Sequence, residues 1–166
     1  MLGDLHDFPK DVYPIGRLDK DSEGLLLLSS DKKWNKQILN PKGKLPKEYW
    51  VQVEGSPNEK DLNAFQTGII IKLKTGPYRC HPAIVQIMDT PPNVWDRDPP
   101  IRERKNIPTS WLKIILTEGK NRQVRKMCAK IGFPVLRLIR WRIGDWTLDG
   151  INTGAVKRLP QTKDSK

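Results

Sequence analysis

Gly16-Arg17-Leu18-Asp19-Lys20-Asp21-Ser22-Glu23-Gly24-Leu25-Leu26-Leu27-Leu28 is the stretch on which the reading of the whole chain turns. Its second half is an unbroken apolar run, which predicts a central strand over 25–28 buried on both faces. Its first half is a polar turn, the kind of segment through which a rigid scaffold presents side chains to a cleft. Asp19 is then a carboxylate held at the mouth of a strand, with Arg17 two positions before it. Taken alone these are ordinary turn residues. Asp21 and Glu23 raise the thought of a glycosidase pair, but carboxylates this close on one loop do not flank a scissile bond from two sides.

Working outward, Asp31 predicts a helix cap, followed by Trp34 and Ile38 at helical spacing and a stop at Asn40-Pro41. A lysine-rich loop leads into a strand over 48–54 with Tyr49, Val51 and Val53 on one face. Ser56-Pro57-Asn58-Glu59 reads as cap, first helical proline and capping-box glutamate of a short helix carrying Leu62 and Phe65 and ending at Gly68. Strands are expected over 69–73, 83–88 and 111–117. The segment 89–110 holds Pro91, Pro92, Pro99, Pro100 and Pro108 and should be a long loop, read as an RNA-facing or flexible flap.

A helix starting near Asn121 buries Val124, Met127, Cys128 and Ile131, and Gly132 and Pro134 end it. A last strand over 135–143 places Arg140 and Arg142 on one face. Strands outnumber helices, so the expected class is α+β, with a mixed, mainly antiparallel central sheet, flanking helices and a basic cleft. One domain over 1–160 and a polar tail over 161–166 account for the length.

Thirty Lys and Arg against nineteen Asp and Glu leave a net charge of +11, which favours a polyanionic partner through counterion release. Two cysteines and two histidines, none at metal-ligand spacing, argue against a zinc or disulfide framework. Cys80-His81 is read as a packed thiol beside a surface imidazole. Trp34, Trp111 and Trp141 sit on apolar stripes and are assigned to packing. The start lacks the basic and apolar segments of a signal peptide, and no apolar run is long enough to span a bilayer. A cytoplasmic protein without a membrane partner is expected.

Three segments taken in order carry a resemblance: 16–28 quoted above, Lys47-Glu48-Tyr49, and Glu118-Gly119-Lys120-Asn121-Arg122-Gln123-Val124-Arg125-Lys126-Met127. They resemble the motifs of the RsuA-type pseudouridine synthases, which isomerise uridines in ribosomal RNA, and the likeness continues through Gly132-Phe133-Pro134, Leu138-Ile139-Arg140 and Ile143-Gly144. The resemblance implies that Asp19 is the catalytic carboxylate, Tyr49 the aromatic residue beneath the target base and Arg125 the basic partner of Asp19. It implies no cofactor and no metal, and a ribosomal RNA partner, expected to be the 23S RNA of the large subunit, met by a monomer.

Such an enzyme must flip its uridine out of folded RNA. Arg17 is placed to fill the vacated space, and Arg122, Lys126, Leu138, Arg140 and Arg142 complete the expected substrate-binding set, with Lys42, Lys44 and Lys47 as further backbone contacts. If Arg140 and Arg142 both face the RNA, neutralising them together should flatten the salt dependence of binding. RsuA-type enzymes often carry an S4-type RNA-binding domain ahead of the catalytic domain. None is recognised here and the usual first motif is not found, so an amino-terminal piece is expected to be missing. Two rival readings stand beside the enzyme: a non-catalytic RNA-binding module, and a nucleosidase or glycosidase acting on small molecules.

Overall fold

The computed structural model describes residues 1–40, 42 and 45–160; Lys44 and the polar tail over 161–166 lie outside the described residues. After a 3-10 turn at Leu2–Asp4 come β1 (Tyr13–Ile15), β2 (Glu23–Gly24), β3 (Leu27–Ser29), α1 (Lys32–Leu39), β4 (Lys47–Glu54), α2 (Glu59–Thr67) and β5 (Ile70–Leu73). Then follow β6 (Gly76–Arg79), β7 (Ile84–Met88), β8 (Thr109–Leu116), α3 (Gln123–Lys130), β9 (Val135–Ile143) and β10 (Trp146–Thr147).

The central sheet runs β10-β9-β4-β8-β7, with neighbours antiparallel, and β2 joins β9 in parallel. This is the mixed, mainly antiparallel α+β arrangement expected from the sequence. Alternation along β4 and β8 turns Val51, Val53, Leu112, Ile114 and Leu116 to one face, where they bury together with Leu62 and Phe65 of α2 and Val124, Met127 and Cys128 of α3. Phe65 is fully enclosed; a side chain of that size contributes about 1.5–3 kcal/mol by leaving water.

A second, smaller cluster gathers Ile15, Leu25, Leu27, Ile38 and Ile143. Here the expectation for 25–28 fails. Gly24, at φ 112°, lies so close to β9 that an added Cβ would stand 2.3 Å from the Arg140 carbonyl oxygen, and the Leu25 amide donates to that same oxygen at 2.8 Å. The chain then leaves β9 and pairs antiparallel with β1 instead. Leu25 and Leu27 turn inward while Leu26 and Leu28 stay half-buried, and the run enters a strand only at Leu27, burying one face at the margin of the fold.

Two other departures are local. The helix after β4 begins later than expected, because Asn58 and Asp61, not Ser56 and Glu59, exchange the reciprocal capping bonds at 3.1 and 2.8 Å. The strands β1, β2, β6 and β10, two to four residues long, were too short to carry a periodic signal. Residues 89–108 hold no helix or strand, but the segment is no free flap: the Trp95 indole donates to Glu23 at 2.8 Å and Arg137 donates to the Trp95 carbonyl at 2.7 Å.

Candidate active site

A cleft of about 590 Å³ opens where the β1–β2 loop, β4, β9 and the approach to α3 meet. Asp19, Tyr49, Leu138 and Arg140 all line it. Three tethers hold the loop bearing Asp19. The Ser22 amide closes a turn onto the Asp19 carbonyl at 2.9 Å. Arg140 of β9 donates Nε to the Leu25 carbonyl at 2.8 Å and Nη1 to the Arg17 carbonyl at 3.2 Å, gripping the loop on both sides of Asp19. From α3, Arg125 donates Nη2 to the Asp21 carbonyl at 2.7 Å and to Ser22 Oγ at 3.2 Å.

The expected ion pair is redistributed. Arg125 Nη1 lies 3.6 Å from Asp21, and it is Arg122 Nη1 that stands 3.5 Å from the Asp19 carboxylate. Arg122 also grips Asp21 through two bonds of 2.8 and 2.9 Å, a bidentate fork matched to a carboxylate. Those bonds first, and the Arg125 charge after them, outweigh burial and hold the Asp21 carboxyl down to about 2. Arg125 supports the loop from behind and does not line the cleft. Arg122 reaches it from a left-handed backbone position, φ 49°, at the cap of α3. Of the three loop carboxylates only Asp19 lines the cleft, since Asp21 is engaged by Arg122 and Glu23 by Arg137; these three form no facing pair.

Tyr49 of β4 pairs across the sheet with Arg140 of β9. Burial pushes the Tyr49 phenol up from its ordinary value, with the nearby Arg140 guanidinium pulling the other way. At neutral pH it presents a neutral hydroxyl. Arg140 is only 6% exposed, and its buried Nη2 has no partner among the described residues.

The pairing of Arg140 with Arg142 as one RNA-facing surface is corrected by the register. A bulge between Glu48 and Tyr49 pairs Glu48 with Arg142 but Tyr49 with Arg140. Since Glu48 and Tyr49 point to opposite faces, the two arginines do as well. Arg142 is spent on Glu48 Oε2 at 3.0 and 3.1 Å and on the Gly144 carbonyl. On the same face Trp50 and Trp141 stack with ring centres 3.8 Å apart. Arg17 is exposed at the cleft and Lys47 lines it; Lys126 is turned to Asn121 and lies outside it.

The far wall rests on residues that the sequence reading did not single out. Glu118, 6% exposed, accepts from Tyr78 at 2.5 Å, from the His81 amide at 2.8 Å and from Gln123 at 2.6 Å. Burial alone would raise this carboxyl; the three donors outweigh it and hold it below its ordinary value. The bond to Glu118, with burial second, pushes the Tyr78 phenol up to about 12. Both residues of the Glu118–Gln123 pair lay inside the third motif, but nothing in their spacing shows that they bury together. Among the described residues, no helix is long and apolar enough to cross a membrane, and no group of three His, Cys, Asp or Glu could hold a metal ion.

Comparisons with known proteins identify the family. A family profile described as RNA pseudouridylate synthase matches residues 2–130. Ribosomal large subunit pseudouridine synthase E of Xanthomonas axonopodis pv. citri is 51% identical over 143 residues, covering 86% of this chain and 73% of that protein. The protein of the same name from Vibrio parahaemolyticus is 50% identical over 150 residues, covering 90% of this chain and 61% of its own length. A crystal structure of a pseudouridylate synthase superimposes with a TM-score of 0.70 at 28% identity, over 88% of this chain and 55% of that one. Fold, profile and relatives converge, and the chain belongs to the RNA pseudouridylate synthase family.

Proposed function

We propose that this chain isomerises uridine to pseudouridine in ribosomal RNA of the large subunit, with Asp19 as the catalytic carboxylate. The observation that carries the reading is the meeting of Asp19 and Tyr49 in one cleft, in a chain half identical to large-subunit pseudouridine synthases. The cleft volume suits a flipped nucleotide, within the few hundred to about 1,000 Å³ common for small-ligand sites. Isomerisation breaks the bond from N1 to the ribose C1′, turns the uracil and rejoins it through C5. An ionised Asp19 supports cleavage by bonding to C1′ or by facing its developing positive charge.

Tyr49 offers a ring on which the detached uracil rests while it turns, and its neutral hydroxyl can bond to the base; to take the C5 proton it must first release its own. Leu138 closes the apolar side, and Arg17 and Arg122 stand at the rim for phosphate. The chain acts as a monomer in the cytoplasm and needs no metal or organic cofactor in this scheme.

The test is to incubate the protein with large-subunit ribosomal RNA from cells lacking it and to map new pseudouridines. One new site, lost in Asp19→Asn with RNA binding retained, is the expected result. The rate loss should be at least on the order of 10³-fold, as for removal of a nucleophilic group. RNA binding without product in the wild type would instead describe a binding module, and release of free uracil a nucleosidase.

A further inference from the structure

Glu23 belongs to the same loop as Asp19 yet faces away from the cleft, and the structure gives it an unusual set of partners. Arg137 of β9 donates Nε to Glu23 Oε2 at 2.8 Å and Nη2 to Oε1 at 2.9 Å. The Trp95 indole donates to Oε1 at 2.8 Å. Arg97 stands 3.7 Å away. Arg137 also donates to the Trp95 carbonyl and lies 5.5 Å over its ring. The side chains of Arg137 and Glu23 are 9% and 18% exposed, so the pair is largely removed from water.

We propose that Glu23 is a positioning residue, through which the long proline-rich loop 89–108 and β9 together set the seat of the catalytic loop and so the placement of Asp19. A buried ion pair is not by itself a stabilising device, because desolvation consumes most of its Coulomb energy. What a bidentate guanidinium pair does supply is fixed geometry. That geometry is applied beside Gly24, where the loop touches the Arg140 backbone, so a shift of Glu23 is passed to the Arg140 grip on Arg17 and Leu25. The loop 89–108 is thereby a strut for the catalytic loop, and its regular-structure-breaking composition is compatible with that task because only Trp95 and Arg97 need hold the latch.

The inference rests on the assignment of Asp19 as catalytic, and the experiment separates the two. Glu23→Gln keeps an acceptor but loses the charge, and Trp95→Phe keeps an aromatic ring while removing the indole N–H together with the five-membered ring that carries it. Single-turnover rates and RNA dissociation constants are measured on the substrate RNA, at a temperature where circular dichroism shows each variant folded. Glu23→Gln should lower the rate roughly 10- to 100-fold, the scale of a small misplacement of a reacting group, and Trp95→Phe should lower it less, both with RNA affinity unchanged.

Amide hydrogen exchange over residues 17–24, read without RNA, should rise in Glu23→Gln. An unchanged rate in the folded variants, a loss confined to RNA affinity, or unaltered exchange over the loop each overturns the latch. An Asp19→Asn protein that still forms pseudouridine overturns the catalytic assignment instead, and leaves the exchange result standing on its own.

Discussion

Around Phe65 the protein is joined by closely packed carbon, whereas around Leu25 it is joined as much by arginines that reach backbone oxygens. The larger cluster sets two helices on the sheet chiefly by apolar contact, with the buried Glu118 network at its edge. The smaller one holds few side chains, and the loop over it is secured by Arg140 and Arg125 bonding to the carbonyls of Arg17, Asp21 and Leu25. Asp19, the carboxylate proposed as catalytic, rides on the second region. Packed carbon tolerates small adjustment of every contact at once, while a guanidinium fork specifies a few oxygens in direction and distance. A loop that must aim one carboxylate gains more from the second kind of restraint.

Damage to the two regions should separate stability from rate. Phe65→Ala should cost about 3–5 kcal/mol, as for deletion of a fully buried aromatic ring, and lower Tm in calorimetry; its rate per folded molecule should stay close to wild type. Arg140→Met should cost less stability, about 1–3 kcal/mol for carbonyls left without donors, and should lower kcat on the order of 100-fold. Equal effects of both variants on stability and on rate would erase the contrast.

The smallest effect concerns acid. The Asp21 carboxyl sits at about 2 in the folded protein against an ordinary 3.8. The depressed value means that its pairing with Arg122 and Arg125 stabilises the fold above the ordinary value and is lost as pH falls toward 2. Because the Asp21 side chain is 43% exposed, solvent screening limits the contribution to about 1 kcal/mol or less. Urea titrations between neutral and acid pH should show this increment in the wild type and its absence in Asp21→Asn.

The same contrast explains what was legible in the sequence. β4, β8, β9 and α3 surround the larger cluster, and there alternation or a helical stripe is written directly into residues such as Val51, Val53, Val124 and Met127. The four leucines of 25–28 were misread because periodicity cannot report that Gly24 abuts a neighbouring backbone or that the next amide is claimed by Arg140. At the site, Asp19 and Tyr49 were found through ordered motifs, and they do share a cleft. The partner of Asp19 was placed on Arg125 and the structure puts Arg122 there, because one α3 turn decides which guanidinium clears the Asp21 backbone. Glu118 and Gln123 gave no warning at all: a buried polar pair has the same letters as a solvated one.

The bulge between Glu48 and Tyr49 has a consequence for building chimeras of this fold. It sorts Arg140 into the cleft and Arg142 onto Glu48, so β4 and β9 form a single transplantable unit. The extra residue of the bulge is Trp141 of β9; pairing β9 without it, so that Trp141 stood opposite Glu48, would bring both arginines to one side, where Arg142 loses its carboxylate and the sheet must either open or bury an uncompensated charge.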